Sequence, residues 1–499
     1  MSFATEVAQS TATHRILIEI DIGQGNTQWV NIGAGIWVVS ATNTYDFVDS
    51  SLLGGFTAQN FGTIGSVRAD GTPLNYVSTL ALVTTTDSSF YYDAANQALY
   101  VKLAAYKDAN TASIVIGVSY GFCDRDFIPQ NGNLFYEGRL QSFPRISISR
   151  DPLFFGRLTY GGTTIDVINS DGEYDTWGES NDIYGNEGRV LIGFEDVDYA
   201  DYVRLYTGYV ERVRIGEGDM SINLVDTRRQ LTKPITYSCT ALNALSAIEE
   251  IIQSAYGYPY GDVFYDTAAW DTAKALVGDV TINMQKPAPV IDVIEDICTS
   301  VFGLFLTTPY GLFTFKLTDN YASPVTGITA KDILNGISID YDPTEVVSSV
   351  RVGYAKDWTT TGTAYTYYTD DSQEASVFSA YKTYNQRTFD TLLIDATAAS
   401  TFATAVLDRT TALKGRVSIL CPIEYYSVDI SDMIRADVDR EAATMLGTKA
   451  LEVVGKSFDL GVPAVEFEAR VDHTAEQFLA GESGAIFTDE DGALILLEA

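Results

Sequence analysis

The sequence has few residues suited to catalysis or metal binding at neutral pH. Only two of its 499 residues are histidines, His14 and His473. This scarcity removes most histidine-based acid–base and metal chemistry. Four cysteines stand singly, with no CxxC pair: Cys123, Cys239, Cys298 and Cys421. Their spacing predicts buried free thiols rather than a disulfide framework or a zinc site.

Basic residues are also scarce. The chain has 32 Lys and Arg against 66 Asp and Glu, for a net charge of −34. Ordinary nucleic-acid binding needs clustered Lys and Arg on the phosphates, so the composition argues against it.

Long apolar runs are absent as well. No stretch of about 18 apolar residues could cross a bilayer. Residues 1–15 lack the basic and apolar blocks of a signal peptide, so the chain is expected to fold where it is made. Neither a membrane span nor a cofactor is predicted.

The residues that are abundant favour sheet. Hydrophobic residues make up 46 % of the chain, with 31 Tyr and 24 Phe, and Thr, Val and Ile are frequent. These residues suit half-buried pleated surfaces. The length allows roughly three or four domains. We expect a mainly β fold with an α/β insertion.

Residues 1–14 form a polar N-terminal arm, and an all-β domain with a linker is predicted from 15 to 141. ILIEIDI (16–22) alternates with period two, YYDAANQALYVKL (91–103) indicates two strands about a turn, and SIVIGVSYGF (113–122) indicates another. A second β-rich unit, 142–235, has predicted turns at Gly161-Gly162 and 170–172, and a hairpin at 216–219.

An α/β domain is predicted from 236 to 340. Helical spacing of apolar residues indicates a helix over 240–256 with Thr240 as N-cap. A second helix is predicted from Pro289 to Phe302, ended by Gly303, followed by a hairpin turning at 309–311. A third β-rich unit spans 341–472 and includes a helix over 396–414, ended by Gly415. Residues 473–499 form an acidic C-terminal tail.

Two short strings imitate catalytic or cofactor motifs. Gly117, Ser119 and Gly121 match GxSxG, but that motif needs a helix after the serine and a histidine partner. No helical period follows, and the later His473 lies in a different unit, so a plain strand is predicted. The string GQG at 23–25 lacks the third glycine and the helix of a dinucleotide site and indicates a turn.

Acidic and aromatic clusters leave weaker alternatives open. A glycosidase needs two facing carboxylates, and several acidic residues cluster in the second unit: Asp171, Glu173, Asp175, Glu195, Asp196 and Asp198. The 171–175 string does not follow the calcium-loop order, so a solvated turn is favoured over calcium binding. Tyrosines 365, 367 and 368 could stack on sugars or on a partner, but cross-strand packing is the simpler explanation. No catalytic, cofactor or metal residue is assigned.

Four segments resemble the baseplate-hub or tail-tip proteins of tailed bacteriophages. Residues 154–175 and 204–231 resemble the early and later strands of the first hub barrel. Residues 287–317 resemble the family's helix and hairpin, and residues 449–471 its closing strands. The resemblance implies two tail-tube-like β-barrels, at 142–235 and 341–472, with the α/β domain between them.

The resemblance also implies a function. The chain would be a non-enzymatic virion protein, assembled in the bacterial cytoplasm. Three copies would form a ring extending the tail tube and contact the tube or distal tail protein, the tip or spike and other baseplate proteins. DNA would only pass through the channel. The acidic residues would either line this channel and repel the DNA, or simply keep a large assembly soluble. A carbohydrate-active tail protein, either a depolymerase or a sugar-binding adhesin, is the alternative.

Overall fold

The computed structural model describes part of the chain, and everything below concerns that part: residues 14–22, 30–31, 38–41, 44–48, 62–69, 72–76, 83, 89–93, 98–103, 114–130, 136–150, 161–179, 183–284, 286–318, 326–335, 337–357, 364–437 and 450–471. The predicted N-terminal arm apart from His14, the turn at 23–25 and the acidic tail lie outside the described residues.

The described residues are mainly β-strand. The first strands are β1 (His14–Ile22), β2 (Val30–Asn31), β3 (Val38–Ala41), β4 (Thr44–Val48), β5 (Gly62–Ala69), β6 (Thr72–Pro73), β7 (Asn75–Tyr76), β8 (Ser89–Asp93), β9 (Ala98–Lys102), β10 (Ile114–Phe122), β11 (Tyr136–Glu137) and β12 (Arg145–Ser149). The middle strands are β13 (Gly162–Ile168), β14 (Glu187–Phe194), β15 (Val203–Ile215), β16 (Asp219–Val225), β17 (Pro234–Ile235), β18 (Ser238–Asn243), β19 (Asp279–Asn283), β20 (Ala288–Pro289), β21 (Gly303–Thr307) and β22 (Phe313–Leu317). The last strands are β23 (Thr326–Thr329), β24 (Ser338–Tyr341), β25 (Ser349–Asp357), β26 (Ala364–Asp370), β27 (Gln386–Asp390), β28 (Gly415–Pro422), β29 (Met433–Asp437), β30 (Leu451–Asp459) and β31 (Ala464–Val471).

Five α-helices occur in the described part of the chain: α1 (Ala244–Tyr256), α2 (Thr267–Lys274), α3 (Val290–Ser300), α4 (Glu374–Tyr381) and α5 (Ala396–Thr410). The predicted strands at 16–22, 91–103 and 113–122 are confirmed, as are the hairpin turns at 216–219 and 309–311. The mainly β character with a helical insertion is therefore as predicted.

A first β unit is built from β1, β10 and β13 to β16. Its ladder runs β10–β1–β14–β15–β16–β13, with every neighbouring pair antiparallel. Period-two alternation drives it: Met220, Ile222 and Leu224 of β16 are buried while the residues between them are half-exposed. Strands β1 and β14 instead bury both faces. On the side away from the core they are covered by the segments around Tyr136 and Tyr199, whose hydroxyls donate to Glu19.

The segment between β1 and β10 is an insertion into a hairpin of the first β unit. Ile22 of β1 lies opposite Val118 of β10, and the strands β2 to β9 all lie between these two in sequence. We call this segment the insert. Five of its strands form a separate sheet in the order β3-β4-β9-β8-β7. The ladder thus joins residues from both sides of the predicted boundary at 141/142, and the division into domains stays a prediction.

A last β unit is formed by β23, β24 and β28 to β31. Its antiparallel ladder runs β24–β28–β31–β30–β29, and β23 adds to β29 in parallel. Beside it stands a three-stranded sheet, β26-β25-β27, whose inner face packs against α5 through Phe402 and Val406. No sheet in the described ranges closes on itself.

The α/β unit comprises β17 to β22 with α1, α2 and α3. Buried residues at helical spacing on α1 and α3 pack on each other and on the β21–β22 hairpin, around Trp270 of α2. Helix α1 begins at Ala244, not at 240, because residues 238–243 pair with β19. Asn243 is therefore the N-cap, and its side-chain oxygen accepts from the Leu245 and Ser246 N–H groups.

The two glycines predicted to end helices act otherwise. Phe302, with φ of 53°, occupies the left-handed position after α3, and Gly303 begins β21. A Cβ at Gly303 would overlap the ring of Phe315, which explains the glycine. Likewise α5 ends at Thr410, four residues before the predicted end, and Gly415 begins β28.

Candidate functional site

The GxSxG string lies inside a strand, as predicted. Ser119 is in the middle of β10, opposite Asp21 of β1 in the antiparallel ladder. No helix follows the strand in the described residues 123–130. A nucleophile elbow requires a sharp strand-to-helix turn, so this serine does not occupy one. His473, its only downstream histidine, lies outside the described residues.

The acidic residues of the 171–175 loop are held by one arginine. The Arg139 guanidinium lies 2.7 Å from Asp171, 2.6 Å from Glu173 and 2.5 Å from Glu137. The hydrogen bond from Arg139 lowers the pKa of Asp171 to about 2, whereas burial and the nearby Glu137 raise the pKa of Glu173. Asp171 and Glu173 therefore fasten their loop to the segment directly after β11, and Arg139 occupies the space between the carboxylates.

The other candidate carboxylates are dispersed. Asp175 accepts a hydrogen bond from the Asn169 amide at 2.8 Å. Glu195 pairs with Arg15 at 3.0 Å and with Arg125. Within the described ranges no group of three His, Cys, Asp or Glu side chains could hold a metal ion.

The three candidate tyrosines divide between the two faces of the β26-β25-β27 sheet. Tyr368 faces α5 and accepts a hydrogen bond from the Ser400 hydroxyl at 3.1 Å. Tyr365 and Tyr367 lie on the outer face, where Arg351 covers the Tyr367 ring at 3.8 Å from its centroid. Packing against α5 therefore accounts for Tyr368, and Arg351 covers the ring of Tyr367 on the outer face.

All four cysteines are free thiols, and three of them are buried as predicted. Cys239 is only half-buried, so that prediction is wrong for this residue, which lies on the two-stranded β18–β19 ribbon. Burial raises the pKa of the Cys123 thiol to about 12, and that of Cys421 to about 12. Neither thiol is a nucleophile at neutral pH.

The feature that distinguishes the molecule is how its units are joined. Strand β12, which belongs by sequence to the predicted first barrel, pairs with β30 of the last β unit from Arg145↔Asp459 to Ser149↔Gly455. It meets β13 at a single pair, Ser147↔Gly162. One hydrophobic core then contains side chains of both β units. The two units are consequently parts of one body.

The α/β unit contacts the first β unit and helix α5 through polar and aromatic groups. At the tip of its hairpin, the Thr207 hydroxyl donates to the Pro309 carbonyl at 2.6 Å, and Arg204 lies over the Tyr310 ring. At the other end, the ring of Phe302 stacks on Phe402 of α5 with centroids 4.3 Å apart.

No protein-family model and no curated protein sequence matches the chain. Solved structures do. The fold is similar to that of a tail protein from Neisseria meningitidis MC58, at 12 % identity and a TM-score of 0.43, over 66 % of this chain and 92 % of that one.

Two further structures are similar. A 43 kDa tail protein of prophage MuSo2 from Shewanella oneidensis is 13 % identical, with a TM-score of 0.42, over 67 % of this chain and 94 % of that one. The E. coli c3393 protein, a type VI secretion component described as similar to the T4 tail proteins gp27 and gp5, is 8 % identical, with a TM-score of 0.37, over 67 % and 74 %. The fold is similar to the folds of tail proteins, the class of protein that the four sequence segments resemble.

A buried ionic network fixes β1 in the centre of the first β unit. The Arg189 guanidinium lies 2.9 Å from Glu19, 2.6 Å from Asp21 and 2.7 Å from Glu187. The hydroxyls of Tyr136 and Tyr199 donate to Glu19 at 2.5 and 2.6 Å. The period-two alternation of residues 16–22 predicts the strand but not this network. No local signal could have revealed Arg189, which is 170 residues away.

The network keeps its side chains ionised although they are buried. Burial acts to raise the pKa of Glu19, but the Arg189 charge and the two tyrosine hydroxyls outweigh it and hold that pKa below its usual value. A buried carboxylate is tolerated only with such partners. The network therefore ties the N-terminal strand and the covering loops to β14.

A second ionic cluster joins the α/β unit to the last β unit. Lys316 of β22 lies 2.8 Å from Asp432 and 3.4 Å from Asp429, which both precede β29. Beside them Lys456 of β30 is 9 % exposed, and its ammonium donates to the Tyr426 carbonyl at 2.5 Å. Burial lowers the pKa of Lys456 to about 8.

No helix in the described residues is long and apolar enough to cross a membrane.

Proposed function

We propose that the chain is a non-catalytic structural subunit of a phage-type tail, a hub or tip protein that continues the tail tube. One observation carries the proposal: two antiparallel β units flank an α/β unit, and β12 joins both units into one body. Such a body suits a load-bearing part of an assembly. Of the candidate groups for catalysis, Asp171 and Glu173 are held by Arg139, and three of the four thiols are buried.

In this proposal the two β units are the tube-like barrels predicted at 142–235 and 341–472. The first also takes in β1 and β10, and neighbouring copies complete both. The sheets of the described residues do not close on themselves, and open sheets leave strand edges for such neighbours. Three copies around an axis would then present six similar barrels as a ring.

The charge supports a channel for DNA. Each chain carries −34, and duplex DNA carries about one negative charge per 1.7 Å of its axis. A bore lined by carboxylates repels the genome, which then passes without binding to the wall. The partners would be the tail tube or distal tail protein, the tip or spike and other baseplate proteins, and the protein would be located in the virion after assembly in the bacterial cytoplasm.

Light scattering after size-exclusion chromatography tests the assembly. We expect a particle of three times the chain's mass, and electron microscopy should show a three-fold ring with a central channel. A monomer with a closed surface in intact particles would contradict the proposal.

The alternative of a carbohydrate-active protein is tested separately. Purified chain is incubated with bacterial surface polysaccharide, and released oligosaccharides are measured for the wild type, Glu173→Gln and the exposed turn variant Glu217→Gln. We expect no release from any of them. Release that is lost only in Glu173→Gln would overturn the assignment.

A further inference from the structure

The two β units repeat one arrangement of four strands. In the first unit, β15 pairs with β14 and β16, and β16 also pairs with β13. In the last unit, β30 pairs with β29 and β31, and β31 also pairs with β28, in the same chain order. Strands β15 and β30 each contain a bulge, at Glu211 and at Val454. Strands β13 to β16 therefore correspond to β28 to β31, and the bulges fix which residues correspond.

A fifth strand also has a counterpart. Ser147 of β12 lies opposite Gly162 of β13, and Asp340 of β24 lies opposite Arg416 of β28. Counted from the two bulges, Gly162 and Arg416 occupy the same place in the repeated arrangement. Strand β24 therefore corresponds to β12, and Asp340 corresponds to Ser147.

The two units differ at one edge. In the last unit, β12 fills the edge of β30 beyond the bulge, with Ser147 opposite Ser457. The corresponding edge of β15, residues 211–215, has no strand beside it within the described ranges. The edge of β24 that faces away from β28 also has no strand beside it in that part of the chain. Both are open edges, and an open edge is a template for pairing with another chain.

The charges at the two open edges are complementary. Arg212 and Arg214 of β15 are exposed, and neither has an ion-pair partner among the described residues. Asp340 and Asp342 are exposed at and just after the end of β24. The arginine opposite Asp340 on β28 pairs with two glutamates instead. Asp342 uses Oδ1 for Thr344, which leaves its Oδ2 available.

We propose that β24 of one copy pairs antiparallel with residues 212–215 of β15 in a second copy of this chain. The proposal rests on the proposed function, because it assigns the contact between neighbours in the ring. The register of β12 on β30, transferred to this pair, places Asp340 opposite Arg214 and Asp342 opposite Arg212. Opposite charges directly across two strands attract. The two edges differ, so the contact is head-to-tail, as a closed ring requires.

Cysteine cross-linking of the full-length chain tests the register. Residues directly opposite on antiparallel strands have Cβ atoms about 4.5–5.5 Å apart, which brings two cysteines close to disulfide geometry. After oxidation, the double variant Arg214→Cys/Asp340→Cys should give covalent species of up to three chains on non-reducing gels. Each single variant should give none, which also controls for the half-buried Cys239. Arg214→Cys with Ser338→Cys, two residues out of register, should cross-link far more slowly.

Charge reversal tests the ion pairs. Asp340→Arg and Arg214→Asp should each weaken association at least about ten-fold, because they place like charges opposite each other. The variant that carries both substitutions should recover it. Asp408→Arg, on the exposed side of α5, is the matched control and should assemble as the wild type does.

The outcomes separate this contact from the ring itself. A particle of three chains that does not cross-link through positions 214 and 340, or that the double reversal fails to restore, would refute the β24–β15 pairing and leave the ring standing. A chain that light scattering finds only as a monomer would refute both.

Discussion

Lys456 offers the sharpest test of the electrostatics. This lysine of β30 is 9 % exposed, and burial lowers its pKa from 10.5 to about 8. At pH 7 it is still charged in the folded state, so folding includes the cost of burying that charge. A pKa shift of this size corresponds to a cost of roughly 3 kcal/mol in the free energy of folding. Lys456→Met keeps the length of the side chain and removes the charge, and should therefore stabilise the protein.

The stability gained by Lys456→Met should be smaller than the roughly 3 kcal/mol that the pKa shift gives as an upper limit. Lys456 also helps to keep Asp429 ionised, although Lys316 does more. We expect Lys456→Met to stabilise by about 1–3 kcal/mol at pH 7, within the range for replacing buried charges by apolar groups. The assay is urea unfolding, in which the midpoint of the transition that includes the last β unit is compared between the variant and the wild type.

The pH dependence has a definite sign. Between pH 8 and 10.5 the unfolded lysine keeps its proton while the folded one loses it, so the stability of the wild type rises with pH in this window. The advantage of Lys456→Met should therefore be full at pH 7 and shrink towards pH 10. An advantage of equal size at both pH values would refute the argument, as would a loss of stability at pH 7.

Lys316→Met is the matched control. Burial acts to lower the pKa of Lys316, but Asp429 and Asp432 outweigh it and raise that pKa. Its removal leaves two carboxylates without their cation, so this variant should be destabilised at pH 7. Two neighbouring Lys→Met substitutions are thus expected to have opposite signs.

Three further predictions follow from individual contacts. Glu345→Gln should destabilise by about 1–3 kcal/mol at neutral pH, because Arg416 and Arg470 lose the carboxylate between them although Arg416 keeps Glu468. A urea titration measures the loss, and an unchanged midpoint would contradict the prediction. Gly303→Ala should destabilise by about 1–3 kcal/mol in thermal melts because its Cβ overlaps the Phe315 ring, whereas Gly327→Ala, which meets nothing within 4 Å, should not. Replacement of residues 23–117 by a short turn should leave the near-UV circular dichroism and Tm of the remaining chain similar, because Ile22 and Val118 are neighbours across the ladder. A molten product would contradict the interpretation that the segment between β1 and β10 is inserted into a hairpin.

Local sequence pattern predicted the elements whose burial is periodic. Helices α1 and α3 bury a continuous apolar stripe, and the predicted ends of both helices lie within four residues of the observed ends. Helix α2 was missed because only Trp270 and Ala273 of its eight residues are buried. Helix α4 was missed for the same reason, since it buries Val377 alone.

Long-range pairing was beyond the reach of local pattern. The period-two pattern correctly predicts that β1 is a strand. It cannot predict that β1 pairs with β14, which lies about 170 residues away. The same limit applies to the ionic site: Glu19 alone resembles a solvated carboxylate, and only the fold brings Arg189 to it. The absence of a GxSxG elbow, in contrast, followed from local sequence, because a turn into a helix is a local property.

The pairing of β12 with β30 also sets an order of events during synthesis. Residues 145–149 leave the ribosome about 300 residues before residues 451–459, which at 5–20 residues per second is roughly 15–60 s. Throughout that interval the edge of β12 that later pairs with β30 has no partner from its own chain. Nascent chains are therefore most prone to mispair with one another at this strand, and the joint between the two β units is among the last parts of the molecule to form.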